Sequence, residues 1–155
     1  MKLNILAIER RSPDWAELAF ESYKNRFDKS IQVEWLRLSP VKRIKALDKG
    51  SIIKIESKKL ISYTKEGEIL ISLDKEGRSW STLELKDKFE DWLSSSKEIN
   101  FFIGGPDGLS SECLKKSHEV WSVSKLTLPH VIIPVLVIEQ LYRVWSIGKH
   151  HPYHR

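Results

Sequence analysis

Short apolar runs of strand-like character alternate along this chain with stretches of helical period, and that alternation narrows the fold to one class. Residues 3–8 (LNILAI) are apolar and β-favouring, and Ser12-Pro13-Asp14 follows as a helix start, with Ser12 placed to cap and Pro13 suited to the first turn. The helix is expected to turn Trp15, Leu18, Ala19 and Phe20 toward a core, with Tyr23 and Phe27 continuing the stripe. Residues 31–38 alternate well enough for a second strand. EILISL (68–73) and INFFI (99–103) read as buried strands. Between them lie a polar loop, Asp74-Lys75-Glu76-Gly77, and helical spacing at Leu83, Phe89, Trp92 and Leu93. The order βαβαβαβ predicts an α/β fold, a mainly parallel sheet with helices on both faces. Ligands in such sheets sit outside the carboxyl ends of the strands.

A helix over 134–147 completes the pattern. Val135, Leu136, Val137, Ile138, Leu141, Tyr142, Val144 and Trp145 leave it little solvent face. In a chain of 155 residues the simplest cover is a second copy, packed as a two-fold dimer. No repeat, low-complexity tract or linker divides the sequence, so one domain over 1–155 is expected. That length buries a core without disulfides or structural metal. The single cysteine, Cys113, has no intrachain partner and no amino-terminal apolar run has the length of a secretory signal, which predicts a reducing, cytoplasmic setting. The longest apolar stretch, 131–138, is broken by Pro134 and falls well short of the roughly 18 residues of a membrane span. No membrane contact is expected.

The net charge of +5 is gathered between residues 42 and 65, where Lys42, Arg43, Lys45, Lys49, Lys54, Lys58, Lys59 and Lys65 oppose only Asp48 and Glu56. Such a run is either a solvated face or a nucleic-acid contact. It should be helical in pieces, with Ile44, Leu47, Ile52 and Ile55 on one face and Gly50 weakening the middle. IGGPDGLS at 103–110 sets three of the seven glycines directly after a buried strand. Glycine lets backbone approach a ligand closely, while Pro-Asp-Gly also makes an ordinary turn; both readings stand. The segment has neither Walker nor dinucleotide spacing, which disfavours a phosphate cradle.

Asp107, Ser110 and His118 lack the nucleophile-elbow context of a hydrolase, and Cys113 reads as a small buried hydrophobe. KHHPYHR at 149–155 concentrates three of the five histidines with Tyr153 and Arg155. No Cys or carboxylate cluster supports a metal there, whereas Arg, Lys, His and Tyr suit phosphates and unpaired bases. A chain end with no role is the plain alternative. Glu139 and Arg143, four apart, share a helix face; in so apolar a helix they are paired structurally or serve a substrate.

Four pieces taken together, SLDKEGRSW at 72–80, IGGPDGLS at 103–110, WSVSKLTLPH at 121–130 and EQLYRVWSIGKHHPYHR at 139–155, resemble the ribosomal large-subunit pseudouridine methyltransferase H family of the SPOUT superfamily. PDW at 13–15 and KR at 42–43 extend the resemblance through the amino-terminal half. It implies a homodimer with a trefoil knot in the carboxyl-terminal part. It also implies methyl transfer from S-adenosyl-L-methionine to ring nitrogen 3 of a pseudouridine in 23S rRNA, on the large subunit or whole ribosome. The implied cofactor site comprises Leu73, Gly105, Ser124, Lys125, Leu126, Thr127, Leu128 and Pro129, with no metal. His154 is then the candidate general base and Arg143 the group that steadies charge developing on the acceptor base, while Tyr153 and Arg155 position RNA. Two departures touch a helix start and an RNA contact: Pro134 stands where many relatives carry arginine, and Glu56-Ser57-Lys58-Lys59 replaces a more acidic pattern. The rivals are a noncatalytic RNA-binding module and a methyltransferase of the same fold acting on another RNA.

Overall fold

Five strands, β1 (Lys2–Ile8), β2 (Gln32–Leu38), β3 (Ile69–Arg78), β4 (Glu98–Ile103) and β5 (Glu119–Trp121), form one sheet in the order β2-β1-β4-β3-β5, and every neighbouring pair is parallel. The computed structural model describes residues 1–95 and 98–154. Arg155, expected to meet RNA, lies outside the described residues. Among the described residues, α1 (Asp14–Lys24), α2 (Lys49–Ile61), α3 (Thr82–Ser95) and α4 (Ser111–Lys116) fill the four crossovers and α5 (Ile133–Gly148) follows β5.

Side chains alternate across a strand, and β1 divides accordingly. Leu3, Ile5 and Ala7 join Phe20, Phe89, Trp92, Phe101, Val137 and Leu141 under α1, α3 and α5, whereas Leu6 and Ile8 join Leu60, Phe102 and Cys113 under α2 and α4. Both faces are therefore covered, which is why the inner strands are continuous apolar runs.

Several local expectations are corrected. Trp15 and Leu18 are 52% and 72% exposed, because α1 turns Ala16 and Phe20 inward, with Phe20 against Trp35 at 4.8 Å between ring centroids. β3 does not stop at Leu73 but runs through Asp74-Lys75-Glu76-Gly77 to Arg78, which pairs with Trp121 after a register shift. Leu73 and Arg78 both pair with Trp121, so those polar residues form an irregular excursion between two paired positions. In the basic stretch, α2 starts only after Asp48, whose Oδ1 accepts from Ser51 N at 2.7 Å. Ile44 and Ile55 are exposed, and the inward face is Ile52, Glu56, Ser57 and Leu60. The short elements α4 and β5 add to the expected order. Pro134 lies in the first turn of α5, where its missing N–H costs nothing.

With the 3-10 turn at His130–Ile132, α5 makes a 19-residue apolar stretch, His130–Gly148, long enough to cross a membrane by length and composition. In this fold it is a core helix packed on α1 and α3, with Val137, Ile138, Leu141, Tyr142, Val144 and Trp145 buried within one chain. Phe27 of the segment after α1 sits 5.4 Å from Tyr142, and Tyr153 folds back to 4.9 Å from the same ring. Much of the cover that the sequence assigns to a second copy thus comes from the chain itself. Val131, Ile132, Ile133, Val135 and Leu136, at the amino-terminal end of the helix, remain only half covered.

Candidate functional site at the carboxyl edge of the sheet

Leu73 is paired with Ile103 on one side and Trp121 on the other, so the chain leaves β4 at Gly104 and β5 at Ser122 immediately beside it. Gly104 and Gly108 press together: a Cβ on Gly104 would lie 2.7 Å from the carbonyl carbon and oxygen of Gly108. Gly108 N donates to Gly105 O at 3.0 Å, and Gly108 adopts φ +85, a left-handed conformation open to glycine at no steric cost. Ser110 then caps α4 by accepting from Cys113 N at 3.1 Å, while its own N–H donates to Ser57 Oγ at 2.9 Å. The result is a fixed wall of bare backbone.

The 122–129 loop leaves the same end of the sheet, on the other side of β3. Ser122 N donates to Arg78 O at 2.9 Å, so the unexpected extension of β3 staples the loop at its root. Leu126 N donates to Ser124 Oγ, also at 2.9 Å. Lys125, Leu126, Thr127 and Pro129 are exposed and Ser124 and Leu128 half-buried; Leu126, at 74%, projects an apolar side chain that no core residue covers. Bare backbone on one side of β3 and a free apolar side chain on the other suit a flat ligand held by main-chain donors and acceptors. Every residue of the expected cofactor set lies on this edge.

Behind the wall sits a buried charge. Glu56, 1% exposed, accepts from Val41 N at 2.9 Å and from Arg43 Nη1 and Nη2 at 2.8 and 3.1 Å. Arg43 continues to Asp107 at 3.2 Å, and these bonds raise its guanidinium above its already high range. A Cβ on Gly105 would lie 2.8 Å from Glu56 Oε1. The pair therefore joins the 40–43 loop, α2 and the glycine loop, and Arg43 points inward to that role.

The carboxyl-terminal candidates form a separate group. Arg143 Nε donates to Glu139 Oε1 at 3.1 Å, and its Nη1 is 3.5 Å from His154 Nδ1. The guanidinium lies 4.9 Å over the Tyr153 ring, whose hydroxyl donates to Glu139 Oε1 at 3.0 Å and stands 3.2 Å from the Tyr23 hydroxyl. Burial, reinforced by those two bonds, pushes the Tyr153 phenol well above its usual range. With the folded value raised, its stabilising contribution is full below about pH 10 and is lost as pH climbs above that. Tyr153→Phe should thus show a shallower fall in Tm than the parent above about pH 10 in thermal scans; parallel curves would show that the hydroxyl is freely solvated.

Among the described residues, no bond or ring contact joins Arg143, Tyr153 or His154 to the glycine loop or to 124–129. Arg143 is ten residues beyond the start of α5, about 15 Å along its axis. Structural duties account for the weaker candidates. Ser110 is a helix cap, His118 Nδ1 accepts from Leu70 N at 3.0 Å, and burial raises the Cys113 thiol. No cluster of metal-ligating side chains occurs among the described residues.

A further cleft, of about 630 Å³, opens on the β1 side of the glycine loop, lined in part by Glu9, Arg10, Lys42, Arg43, Pro106 and His130. Of these, Glu9 and Arg10 fall in no segment that sequence patterning singles out. A family model described as a predicted SPOUT methyltransferase matches residues 1–154.

Proposed function

Since the chain belongs to the SPOUT methyltransferase family and is a methyltransferase on that ground, we propose that it moves a methyl group from S-adenosyl-L-methionine to ring nitrogen 3 of a pseudouridine in 23S rRNA. On this reading it works as a cytoplasmic homodimer on the large subunit or whole ribosome. The observation that carries the donor half is the convergence of Leu73, the Gly104–Gly105 wall and the 124–129 loop at one edge of the sheet. Backbone there would hold the donor while Leu126 encloses it. The bound donor supplies an activated methyl group; the protein has to align it with the acceptor at about 3 to 3.5 Å.

The acceptor nitrogen must lose a proton, and His154, with Arg143 close enough to steady the resulting charge, has the chemistry for it. A single chain leaves Arg143 about 15 Å along α5 from the start of that helix, with no bond among the described residues from it or His154 to the donor loops. A two-fold dimer closing on the half-covered apolar end of α5 offers the tail of one copy to the donor loops of the other. Tyr153 and the basic tail would then hold RNA by stacking and charge.

The deciding experiment pairs calorimetric titration of the protein with S-adenosylmethionine and a methylation map of rRNA from a deletion strain. Saturable binding, with one methylpseudouridine missing from the map and restored by the purified protein, is expected. Tight RNA binding without any methyl-donor binding, with or without ribosomes, would favour the noncatalytic module. Loss of a methyl group from a different RNA would move the acceptor and keep the enzyme class.

A further inference from the structure

Glu9 uses only one of its two carboxylate oxygens. It directly follows β1 and is 8% exposed; Oε1 accepts from Ser12 Oγ at 3.2 Å and faces Arg37 Nε at 3.5 Å, whereas Oε2 is buried with no hydrogen-bond partner. His130 Nδ1 stands 3.9 Å from it, too far for a bond. In its neutral form that ring offers the oxygen no proton. His130 Nε2 is committed to Gly104 O, and because a carbonyl only accepts, a neutral ring carries its proton on Nε2 and turns a lone pair on Nδ1 toward the carboxylate. Leaving a buried acceptor unpaired is costly, yet here the unpaired oxygen belongs to a residue lining the cleft beside the glycine loop. Arg10 and Lys42, from two different segments of the lining, are exposed and make no ion pair among the described residues.

The topology fixes what this cleft adjoins. β4 lies between β1 and β3, so the Gly104–Gly108 loop separates Glu9, after β1, from Leu73 and the donor loops on the β3 side. We propose that the cleft seats the acceptor nucleotide of the RNA substrate, with Glu9 Oε2 accepting a hydrogen bond from a ring N–H of the base and with Arg10 and Lys42 against its phosphates. The proposal rests on the methyl-transfer reading above and adds the base-reading group to it. Pseudouridine, linked to its ribose through carbon, has N–H groups at positions 1 and 3; uridine, linked through nitrogen 1, has only the one at position 3. A pseudouridine can give its position-1 N–H to Glu9 while nitrogen 3 is methylated. A uridine whose only N–H is consumed by the reaction leaves Glu9 unpaired. A site that must pair a buried polar group rejects the analogue lacking the complementary donor more strongly than shape alone can.

The test uses ribosomes from cells lacking the methylation and ribosomes that also carry uridine in place of the pseudouridine. The parent protein is expected to prefer the first by about a hundredfold or more in kcat/KM. Glu9→Ala should lose about tenfold or more on pseudouridine and bring the two substrates close to parity, with S-adenosylmethionine affinity unchanged; Glu9→Gln, which keeps an acceptor oxygen, should retain part of the preference. A Glu9→Ala protein that binds the donor normally and keeps both rate and preference overturns the inference and leaves the methyltransferase reading standing. A parent protein that methylates neither ribosome removes the reading itself. Should Glu9→Ala fail to fold, the surface variant Arg10→Glu/Lys42→Glu carries the question: a KM for ribosomes raised about tenfold at unchanged kcat supports the cleft as the RNA site, and an unchanged KM overturns it.

Discussion

Dimers holding one Gly105→Trp protomer and one His154→Ala protomer are expected to show about half of the parental methyl transfer, although neither variant alone exceeds about a hundredth of it. The arithmetic follows from a site assembled across the two-fold axis. In each mixed dimer one site combines both lesions and the other combines an intact donor loop with an intact tail. Gly105→Trp disables the donor side because its first side-chain carbon would already lie 2.8 Å from Glu56 Oε1, so the indole cannot be seated without shifting the glycine loop itself. His154→Ala removes the proposed proton acceptor from a tail whose described residues make no bond to the donor loops of their own chain. Co-expression with two different tags and purification through both isolates the mixed species for initial-rate measurement. Activity no greater than that of the single variants would mean that tail and loop act within one chain, and full activity of His154→Ala alone would strip that residue of its role.

Arg43→Met should lower stability by about 3 kcal/mol, or roughly 6 to 12 °C in Tm. Glu56 is 1% exposed and would be left with the Val41 N–H as its remaining bond, and an uncompensated buried charge is among the costliest single defects a fold can carry. The lower end of the usual range applies because the Arg43 side chain is itself 36% exposed. Removing both charges, as in Arg43→Met/Glu56→Leu, should recover at least half of the loss, since an apolar pair of similar volume often equals a buried ion pair. Urea or thermal unfolding of the two variants measures this. A single variant as stable as the parent would show that water reaches Glu56 through the 40–43 loop.

What the sequence makes legible is what burial imposes on it. β1, β2 and β4 are sandwiched between helices or edge residues and appear as apolar or alternating runs near their true ends, and the glycine loop announces itself because bare backbone requires glycine. β5 is three residues long and α4 six, too short to build a period. The far half of β3 is a polar excursion that returns to β5 only at Arg78, and a single pairing leaves no mark in hydropathy. Trp15 and Leu18 mislead because the helix stripe that wins is set by Phe20 against Trp35, a contact between elements.

The two carboxylates that matter most are also the hardest to find. Glu56 does leave a trace, since Ile52, Glu56 and Leu60 recur at four-residue spacing on the buried face of α2. Glu9 leaves none, because its surroundings are assembled from Ser12, Arg37, His130 and the glycine loop. The donor loops and the tail are each readable as motifs. Their separation along α5 is visible only once that helix has a length and a direction.

The position of α5 in the chain also has a price during synthesis. All five strands are translated before it, yet Val137, Ile138, Leu141, Tyr142, Val144 and Trp145 belong to the larger of the two cores. Until that helix leaves the ribosome, Ile5, Phe101 and the inner side of Phe89 have a greasy surface and no lid. Until then the nascent chain cannot close its core and spends that interval as a sticky intermediate of the kind that chaperones protect.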